Sequence, residues 1–337
     1  MKRVLVGMSG GVDSSVSALL LKNMGYEVIG GTMKLLDDEN TNSSINDAKK
    51  VCDKLGIKHY VFDLREEFKN IVISYFISSY QKCETPNPCV ICNHYFKFGL
   101  FFEKAKDINC DYISTGHYAN ISNGLLYESN VENKDQSYFL WYIDKNVLPY
   151  IILPLSKYKN KDEIRKIAKE NGLVNYSKKD SQDICFINGN YKDFIKEKVN
   201  NIKCGDITLK DGQIIGKHDG LINYTIGQRK GLKTSLNKPL YVINFDYKNN
   251  KLIVGEENDL YSDILSVKNV NLLVEKLPKS VDAKIRSRVD KKEAQIFYKD
   301  DKMYVKFKEK QRAITSGQSI VFYKNGICLG GGIIEKI

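Results

Sequence analysis

The sequence has no apolar run long enough to anchor the chain in a membrane. No segment approaches the ~20 consecutive apolar residues that a helix needs to span a bilayer. The first apolar run, Val4–Met8, is too short for the core of a secretory signal peptide. We therefore expect a cytoplasmic protein without a membrane partner. In that reducing compartment the eight cysteines are not expected to form a disulfide framework.

Basic residues outnumber acidic residues mainly in the C-terminal part of the chain. The net charge is +11 over 337 residues, and residues 1–200 carry +2 of it while residues 201–337 carry +9. Such an excess is typical of a surface that meets a polyanion, usually a nucleic acid. A solvated basic surface with no partner would give the same count, so charge alone leaves both interpretations open.

The order of elements predicts an α/β protein with further β-rich domains. A chain of 337 residues is too long for one compact core. Strand-like and helix-like runs alternate in its first half, with helices expected at Asp13–Met24, Ser44–Leu55 and Glu66–Gln81, which indicates a parallel sheet covered on both faces. Short β-rich runs such as Ala283–Arg288 dominate after residue 203. We expect a catalytic domain over residues 1–200, a small central β-rich domain over 201–262 and a C-terminal β-barrel over 263–337.

A glycine-rich turn follows the first predicted strand. The string Ser9-Gly10-Gly11-Val12-Asp13-Ser14-Ser15 leads directly into a predicted helix. Backbone N–H groups, hydroxyls and the helix N-terminus together suit a phosphate group. The chain contains no GxxxxGK[ST] string, so this is not a Walker motif. A tight turn with an Asp or Ser cap is the alternative that the local pattern leaves open.

The cysteines offer a second candidate for chemistry. Cys89 and Cys92 form a CxxC in a proline-containing loop that enters a predicted helix, and Cys185 lies far along the chain. A helix N-terminus should lower a thiol pKa and make thiolate available near neutral pH. Three interpretations compete: a redox pair, a zinc site that also uses Cys83 and His94, and sulfur transfer through a persulfide. Combined with a phosphate loop, sulfur transfer explains most of the pattern.

Ordered motifs extend along almost the whole chain and resemble a known family. SGGVDSS is similar to the pyrophosphate (PP) loop of the ATP pyrophosphatases, which adenylate their substrates. The whole set resembles the bacterial tRNA-specific 2-thiouridylases, whose fold begins with a parallel-sheet PP-loop domain. The strings are SGGVDSS at Ser9, TPNPCVICN at Thr85, STGHY at Ser114, KDQSYFL at Lys134, Asp180–Ile187, YTIGQRKGL at Tyr224 and Ser316–Tyr323.

The resemblance implies ATP-dependent 2-thiolation of the wobble uridine of tRNA, a sulfurtransferase reaction that uses ATP and Mg²⁺. Uridine O2 would be adenylated, sulfur would replace it, and AMP and pyrophosphate would be released. Cys185 would carry a persulfide, and Cys92 would be the nucleophile that frees the sulfur by forming a disulfide with Cys185. ATP would contact Gly7, Met8, Ser9, Gly10, Gly11, Val12, Asp13 and Ser14, with Met33 and Gly116 beside adenine and ribose.

The same resemblance implies a set of tRNA contacts and partners. The substrates would be tRNAs for lysine, glutamate and glutamine, and the sulfur donor a cysteine desulfurase or a sulfur-relay protein. For His117, for Lys134 to Gln136 and for the barrel residues, a purely structural role stays open. The residues that would border the target base or touch the tRNA are Asn87, Pro88, Cys89, His117, Lys134, Asp135, Gln136, Arg286, Ser287 and Gln318.

Cys89 departs from the family pattern, in which many members have aspartate at this position. Three cysteines, Cys89, Cys92 and Cys185, could hold three irons of an iron–sulfur cluster and leave the fourth iron open for sulfide. Two other functions also remain as alternatives. One is a different adenylating enzyme, such as an amidotransferase or a relative of argininosuccinate synthase. The other is an RNA-binding module without catalysis, and tRNA-dependent pyrophosphate release would exclude it.

Overall fold

The computed structural model describes residues 1–131, 134–178, 184–200, 202–236 and 238–335. The chain begins with a five-stranded parallel sheet in the order β3-β2-β1-β4-β7. Its central strand is β1, whose Val4 to Val6 are fully buried, as expected for a parallel strand covered on both faces. The strands are β1 Arg3–Gly7, β2 Glu27–Lys34, β3 Lys58–Asp63, β4 Tyr112–Ser114 and β7 Ile151–Ile152, and a hairpin is formed by β5 Asn120–Ser122 and β6 Leu125–Tyr127.

Helices cover this sheet, and two of the helical runs contain π-helical turns. Lys69–Ile73 and Asn93–Leu100 are π-helical, a form that occurs often at functional sites. They connect α3 to α4 and α5 to α6 respectively. The helices are α1 Val12–Asn23, α2 Glu39–Leu55, α3 Arg65–Phe68, α4 Ser74–Gln81, α5 Pro88–Cys92, α6 Phe101–Asp107, α7 Lys161–Glu170 and α8 Tyr191–Lys198.

Two boundaries predicted from sequence are wrong. Helix α2 does not begin at Ser44, because the Asp38 side chain accepts a hydrogen bond from the Thr41 N–H at 2.6 Å and caps a longer helix. The strand expected at Ala283–Arg288 is β13, Ser280–Lys284. Its end is followed by Arg286, whose guanidinium turns back to the Ala313 carbonyl.

Two β-rich units follow. The central one is a four-stranded sheet in the order β10-β11-β8-β9. The C-terminal one is an antiparallel barrel in the order β12-β15-β14-β13-β16-β17, closed by pairing of β12 with β17. The strands are β8 Gly205–Thr208, β9 Ile214–His218, β10 Tyr241–Asp246, β11 Lys251–Gly255, β12 Tyr261–Leu272, β13 Ser280–Lys284, β14 Lys292–Lys299, β15 Lys302–Arg312, β16 Ser319–Lys324 and β17 Ile327–Glu335. The predicted fold class is confirmed.

The barrel and the N-terminal domain share one core. The β5–β6 hairpin pairs with β17 through Leu126 and Cys328. The fully buried Trp141 of the N-terminal domain packs on the barrel at Gly331, where a Cβ atom would lie 2.9 Å from the indole. Tyr138 donates a hydrogen bond to the Ser319 carbonyl at 2.8 Å. Among the described residues, no helix has the length and apolarity that crossing a bilayer requires.

Candidate active site

The phosphate loop runs from the end of β1 at Gly7 to the start of α1 at Val12. Gly10 has a φ of +70°, and a Cβ atom there would lie 2.5 Å from the Ser44 carbonyl oxygen, so only glycine fits. Ser14 Oγ donates to the Gly11 carbonyl at 3.1 Å and accepts from the Ser9 N–H at 3.2 Å. Gly11 caps α1 without a side-chain hydrogen bond. The N-terminal N–H groups of α1 are therefore available to an anion.

Asp13 is held at the start of α1 by two distant residues. Tyr118 donates its hydroxyl to Asp13 Oδ1 at 2.6 Å, and Lys161 Nζ lies 3.0 Å from Asp13 Oδ2. The Lys161 side chain is only 11% exposed, which places a poorly hydrated ammonium beside the phosphate loop. Gly116 packs directly on this turn, because a Cβ atom there would lie 2.8 Å from the Ser14 nitrogen. The loop and Gly116, far apart in sequence, are thus in contact.

The remaining predicted nucleotide residues lie around the same loop. Met8 is buried, and the carbonyl oxygen of this residue accepts from Thr32 Oγ1 at 2.7 Å. Met33 follows Thr32 on β2 and packs with both the sheet core and the helical core beside the cysteines. Val12 is buried in the core under α1. These contacts arrange the neighbours of the loop along one edge of the sheet, where β1, β2 and β4 end.

Three cysteines form what we call the thiol cluster: Cys89, Cys92 and Cys185. Cys92 ends α5 and is 8% exposed, whereas Cys89 and Cys185 reach the surface. Burial, opposed by the Lys97 ammonium and supported by the thiols of Cys185 and Cys89, raises the pKa of Cys92 to about 12. Desolvation by surrounding protein atoms also raises the pKa of Cys89 and of Cys185. The Cys92 thiol therefore lies near enough to Cys89 and Cys185 for their charge to shift its pKa.

The predicted low thiol pKa is therefore wrong. The five-residue helix α5 has Cys89 in its first turn, but Cys92 is its last residue and lies away from the helix N-terminus. Removal of the Cys92 sulfur from water penalises the thiolate more than nearby positive charge favours it. In this conformation the thiol cluster is protonated at neutral pH.

The described thiols do not fit a metal. Across the described ranges no group of three or more His, Cys, Asp or Glu side chains is arranged to hold a metal ion. His94, the proposed fourth zinc ligand, is engaged elsewhere: its Nδ1 lies 2.6 Å from the Tyr142 carbonyl and its ring stacks on Tyr142. Cys83 is half-buried, and burial raises its pKa to about 11. A thiolate cage of the kind that iron or zinc requires is therefore not preformed.

Lys97 links the thiol cluster to the phosphate loop. It lies on the π-helical turn that follows Cys92, and its Nζ is 3.4 Å from His117 Nε2. The other His117 nitrogen lies 2.7 Å from Thr115 Oγ1. His117 is 9% exposed, and burial together with Lys97 lowers the pKa of this imidazole well below its usual value. Gly116 then connects this neutral histidine to the phosphate loop.

Several residues predicted to touch tRNA have structural partners. Asp135 accepts hydrogen bonds from the Ser129 and Ser137 N–H groups at 2.9 Å and 3.2 Å. Gln136 Oε1 accepts from the Tyr118 N–H at 2.9 Å. Both side chains therefore shape the turn beside the nucleotide loop, and Lys134 in the same turn is half-buried. A structural role accounts for these contacts, and a tRNA role stays a prediction.

The barrel contacts the loop that carries the CxxC. Gln318 Nε2 donates to the Thr85 carbonyl at 2.9 Å, and the Thr85 N–H donates to the Ser316 carbonyl at 2.8 Å. Lys268 forms an ion pair with Glu84. Asn87 and the buried Pro88 follow at once and lead into α5. The barrel thus positions the start of α5.

Arg286 and Ser287 follow β13 on the barrel, and both are half-buried. The Arg286 guanidinium donates to the Ala313 carbonyl and to Thr315 Oγ1, each at 2.7 Å. Burial lowers the pKa of Arg286 from its usual value. The predicted tRNA contact of these two residues remains a prediction.

Sequence reasoning missed four residues of this site. They are Lys97, Tyr118, Lys161 and Asn175, the last of which donates from its side-chain amide to the Gly10 carbonyl at 3.0 Å. Tyr118 lies inside a motif used for the resemblance, and Lys97 follows the CxxC by five residues. Lys161 and Asn175 gave no signal, because their link to the loop exists only in three dimensions. The string Asp180–Ile187 lies in part outside the described residues, and of it Ile184 to Ile187 are described.

The chain matches three family models in succession. They are described as the tRNA methyl transferase HUP domain over residues 2–189, the tRNA methyl transferase PRC-barrel domain over 192–256 and the aminomethyltransferase beta-barrel domain over 262–334. Together these models cover almost the whole chain, in the order in which the structure arranges its parallel sheet, central sheet and barrel.

Solved structures resemble the chain over roughly half its length. The U34-tRNA thiolase NcsA from Methanococcus maripaludis with its [4Fe-4S] cluster is 19% identical, with a TM-score of 0.38 over 58% of this chain and 64% of that one. A 4-thiouridine synthetase–RNA complex with bound ATP is 18% identical, with a TM-score of 0.36 over 55% and 44%. Both TM-scores reflect partial overlap.

Curated relatives match from end to end. The tRNA-specific 2-thiouridylase MnmA of Clostridium botulinum (strain Eklund 17B / Type B) is 45% identical over 100% of this chain and 98% of its own length. The corresponding protein of Clostridioides difficile (strain 630) is 45% identical over 99% and 98%. Full-length similarity at this level, together with the matched domain order, shows that the chain belongs to the tRNA-specific 2-thiouridylase family.

Proposed function

We propose that this chain catalyses the ATP-dependent 2-thiolation of the wobble uridine in tRNA. The observation that carries the proposal is a continuous contact path between two chemically distinct sites. The Lys97 ammonium is close enough to favour the Cys92 thiolate, its Nζ lies 3.4 Å from His117 Nε2, and the adjoining Gly116 packs on Ser14 of the phosphate loop. A base held over this path would have an activated phosphate on one side and sulfur on the other.

Adenylation is the first step. The phosphate loop and the start of α1 would bind ATP, which enters with Mg²⁺ on its phosphate oxygens. Uridine O2 attacks the α-phosphorus, pyrophosphate leaves, and the proton on N3 is lost. Asp13 and Lys161, 3.0 Å apart, would orient the phosphates and balance their charge. Preorganised N–H groups and a cation at this position stabilise the charge that develops on phosphoryl oxygens.

Sulfur transfer is the second step. Cys185, which reaches the surface, would accept a sulfane sulfur from the persulfide of a donor protein and return a thiol to it. The Cys92 thiol first loses its proton to solvent, and the resulting thiolate attacks Cys185 Sγ of the persulfide, so that a Cys92–Cys185 disulfide forms and hydrosulfide leaves. Hydrosulfide attacks C2 of the adenylated uridine, the C2–O2 bond breaks, AMP departs with the oxygen, and N3 regains a proton. A dithiol reductant then restores both thiols.

The tRNA surface is proposed from charge and placement. Residues 201–337 carry a net charge of +9, and the barrel also touches the loop that leads to Pro88 and Cys89. We propose that residues 263–337 contact the tRNA, and that Asn87, Pro88 and Cys89 border the target base. The tRNAs for lysine, glutamate and glutamine are the expected substrates, a cysteine desulfurase or relay protein is the expected donor, and the cytoplasm is the expected location.

The test is a thiolation assay on unmodified tRNA with the wild type and Cys185→Ala, together with iron and acid-labile sulfide measured on anaerobically purified protein. Cys185→Ala should abolish thiolation and leave tRNA-dependent pyrophosphate release intact. Cys204→Ala is the matched control, because Cys204 is an exposed thiol of the central domain. Thiolation by Cys185→Ala would refute the persulfide assignment. Activity that appears only with bound iron would replace the persulfide by a cluster route.

A further inference from the structure

A buried amide holds the phosphate loop from outside. Asn175 follows α7 and is 5% exposed. Its Nδ2 donates to the Gly10 carbonyl at 3.0 Å and to Ser15 Oγ at 2.8 Å. Ser15 is itself fully buried and donates to the Gly11 carbonyl at 2.9 Å. One side chain therefore ties together the loop and the first turn of α1.

The turn that carries Asn175 is fixed in place on both sides. The Lys178 N–H donates to the Asn175 carbonyl at 3.0 Å, and Lys178 Nζ pairs with Asp47 of α2 at 2.7 Å. Arg165 of α7 donates to the Lys178 carbonyl at 3.2 Å. On the opposite side of the loop, α2 lies so close that a Cβ atom on Gly10 would be 3.2 Å from the Asp47 Cβ. The loop thus contacts both α2 and the 175–178 turn, and an ion pair joins these two elements.

The geometry of a trans peptide gives the Asn175 contact a consequence for ligand binding. In a planar trans peptide the carbonyl of one residue and the N–H of the next point in opposite directions. Asn175 fixes the Gly10 carbonyl, so it also fixes the Gly11 N–H, which points away from Asn175. Gly10, with a φ of +70°, is a glycine with wide conformational freedom. Without Asn175, this peptide would keep only the long hydrogen bond from the Gly11 N–H to Ser9 Oγ, at 3.4 Å, and would rotate more freely.

We propose that Asn175 is a positioning residue that presets the Gly10–Gly11 peptide, so that the Gly11 N–H faces the phosphates of ATP. The inference rests on the proposed function, because it requires the loop to bind a nucleoside triphosphate. The Asn175 Oδ1 atom is buried and makes no hydrogen bond with any of the residues that the structure describes. The amide is therefore retained at the cost of an unsatisfied acceptor, which a hydrophobic side chain would avoid.

The experiment measures binding of α,β-methylene-ATP, which requires no tRNA and no turnover, and then the kinetics of tRNA-dependent pyrophosphate release. Asn175→Ala should weaken analogue binding and raise the KM for ATP about tenfold, the equivalent of one or two hydrogen bonds. The KM for tRNA should stay constant and kcat should change less than the KM for ATP. Asn175→Asp has the same shape but repels the Gly10 carbonyl and the phosphates, so its affinity should be lower still.

The controls separate positioning from folding. Asn171→Ala removes an exposed asparagine at the end of α7 and should leave both constants unchanged. If Asn175→Ala fails to fold, Asn175→Ser takes its place as the test variant. Serine keeps a hydrogen-bond donor in a smaller side chain, so this variant should retain part of the wild-type affinity for the analogue. Analogue binding by a folded Asn175→Ala at wild-type strength overturns the inference. A wild type that binds the analogue but neither releases pyrophosphate nor thiolates tRNA overturns the proposed function and leaves the Asn175 result standing.

Discussion

The buried thiol of Cys92 should react with a pH dependence very different from that of free cysteine. Burial raises its pKa to about 12, whereas a free cysteine titrates near ~8.5. At pH 8 about one Cys92 in 10,000 would be thiolate, against roughly a quarter of free cysteines. Only the thiolate is nucleophilic, so raising the pH should accelerate its reactions about tenfold per unit until far above neutrality.

Site-resolved mass spectrometry of iodoacetamide alkylation between pH 7 and pH 10 measures this dependence. The rate at Cys92 should climb through the whole range, while the same thiol in denaturant should level off above pH ~9. Burial also slows access of iodoacetamide to the Cys92 sulfur, but this access does not change with pH. The increase in alkylation rate with pH therefore reports the pKa of Cys92.

A plateau at Cys92 between pH 7 and pH 8 would refute the reasoning. It would mean that positive charge from Lys97 outweighs burial and that the thiolate is already formed in the free protein. The expected result has a mechanistic counterpart. If the free thiol is protonated, single-turnover thiolation should also rise with pH, unless the bound substrates themselves withdraw the proton.

Three further predictions address other contacts. Lys97→Met should slow alkylation of the thiol cluster about tenfold at pH 8, because the cation that favours all three thiolates is lost. Unchanged alkylation rates would show that Lys97 does not favour the thiolates. Asp13→Asn should lower tRNA-dependent pyrophosphate release about tenfold or more, because the Asp13–Lys161 ion pair and the orientation of the loop are lost. Release at the wild-type rate would contradict the adenylation assignment. Gly331→Ala should destabilise the protein by about 2–3 kcal/mol, because the added Cβ would collide with Trp141 and with the Ile320 carbonyl. Urea unfolding followed by tryptophan fluorescence measures this loss of stability, and an unshifted unfolding midpoint would contradict the packing.

The local part of the site was predictable from sequence. A β-rich run, two glycines and a helix with Asp13 and Ser14 in its first turn form one continuous segment, and the structure reproduces it as β1, loop and α1. Periodicity and turn residues report on such neighbours because their contacts span few residues. The antiparallel barrel was predictable for the same reason, since most of its strands follow one another through short turns.

The properties that depend on burial were not predictable from sequence. The raised pKa of Cys92 depends on the packing around α5, and its position on a short helix suggested the opposite sign. The Asp13–Lys161 and Gly10–Asn175 contacts join residues 148 and 165 positions apart. No local pattern encodes such pairs. They exist because α7 and the turn after it pack beside α1.

The shared core also ties the N-terminal domain to the end of the described chain. Leu126, Tyr138 and Trp141 lie in one apolar cluster with Val321 and Cys328 of the barrel. A protein is synthesised from its N-terminus, and domains generally fold in that order. Here the first domain cannot bury its tryptophan until β17 has left the ribosome. The final folding step of the first domain therefore waits for the barrel, and the fluorescence of the chain's single tryptophan would report the moment at which that step occurs.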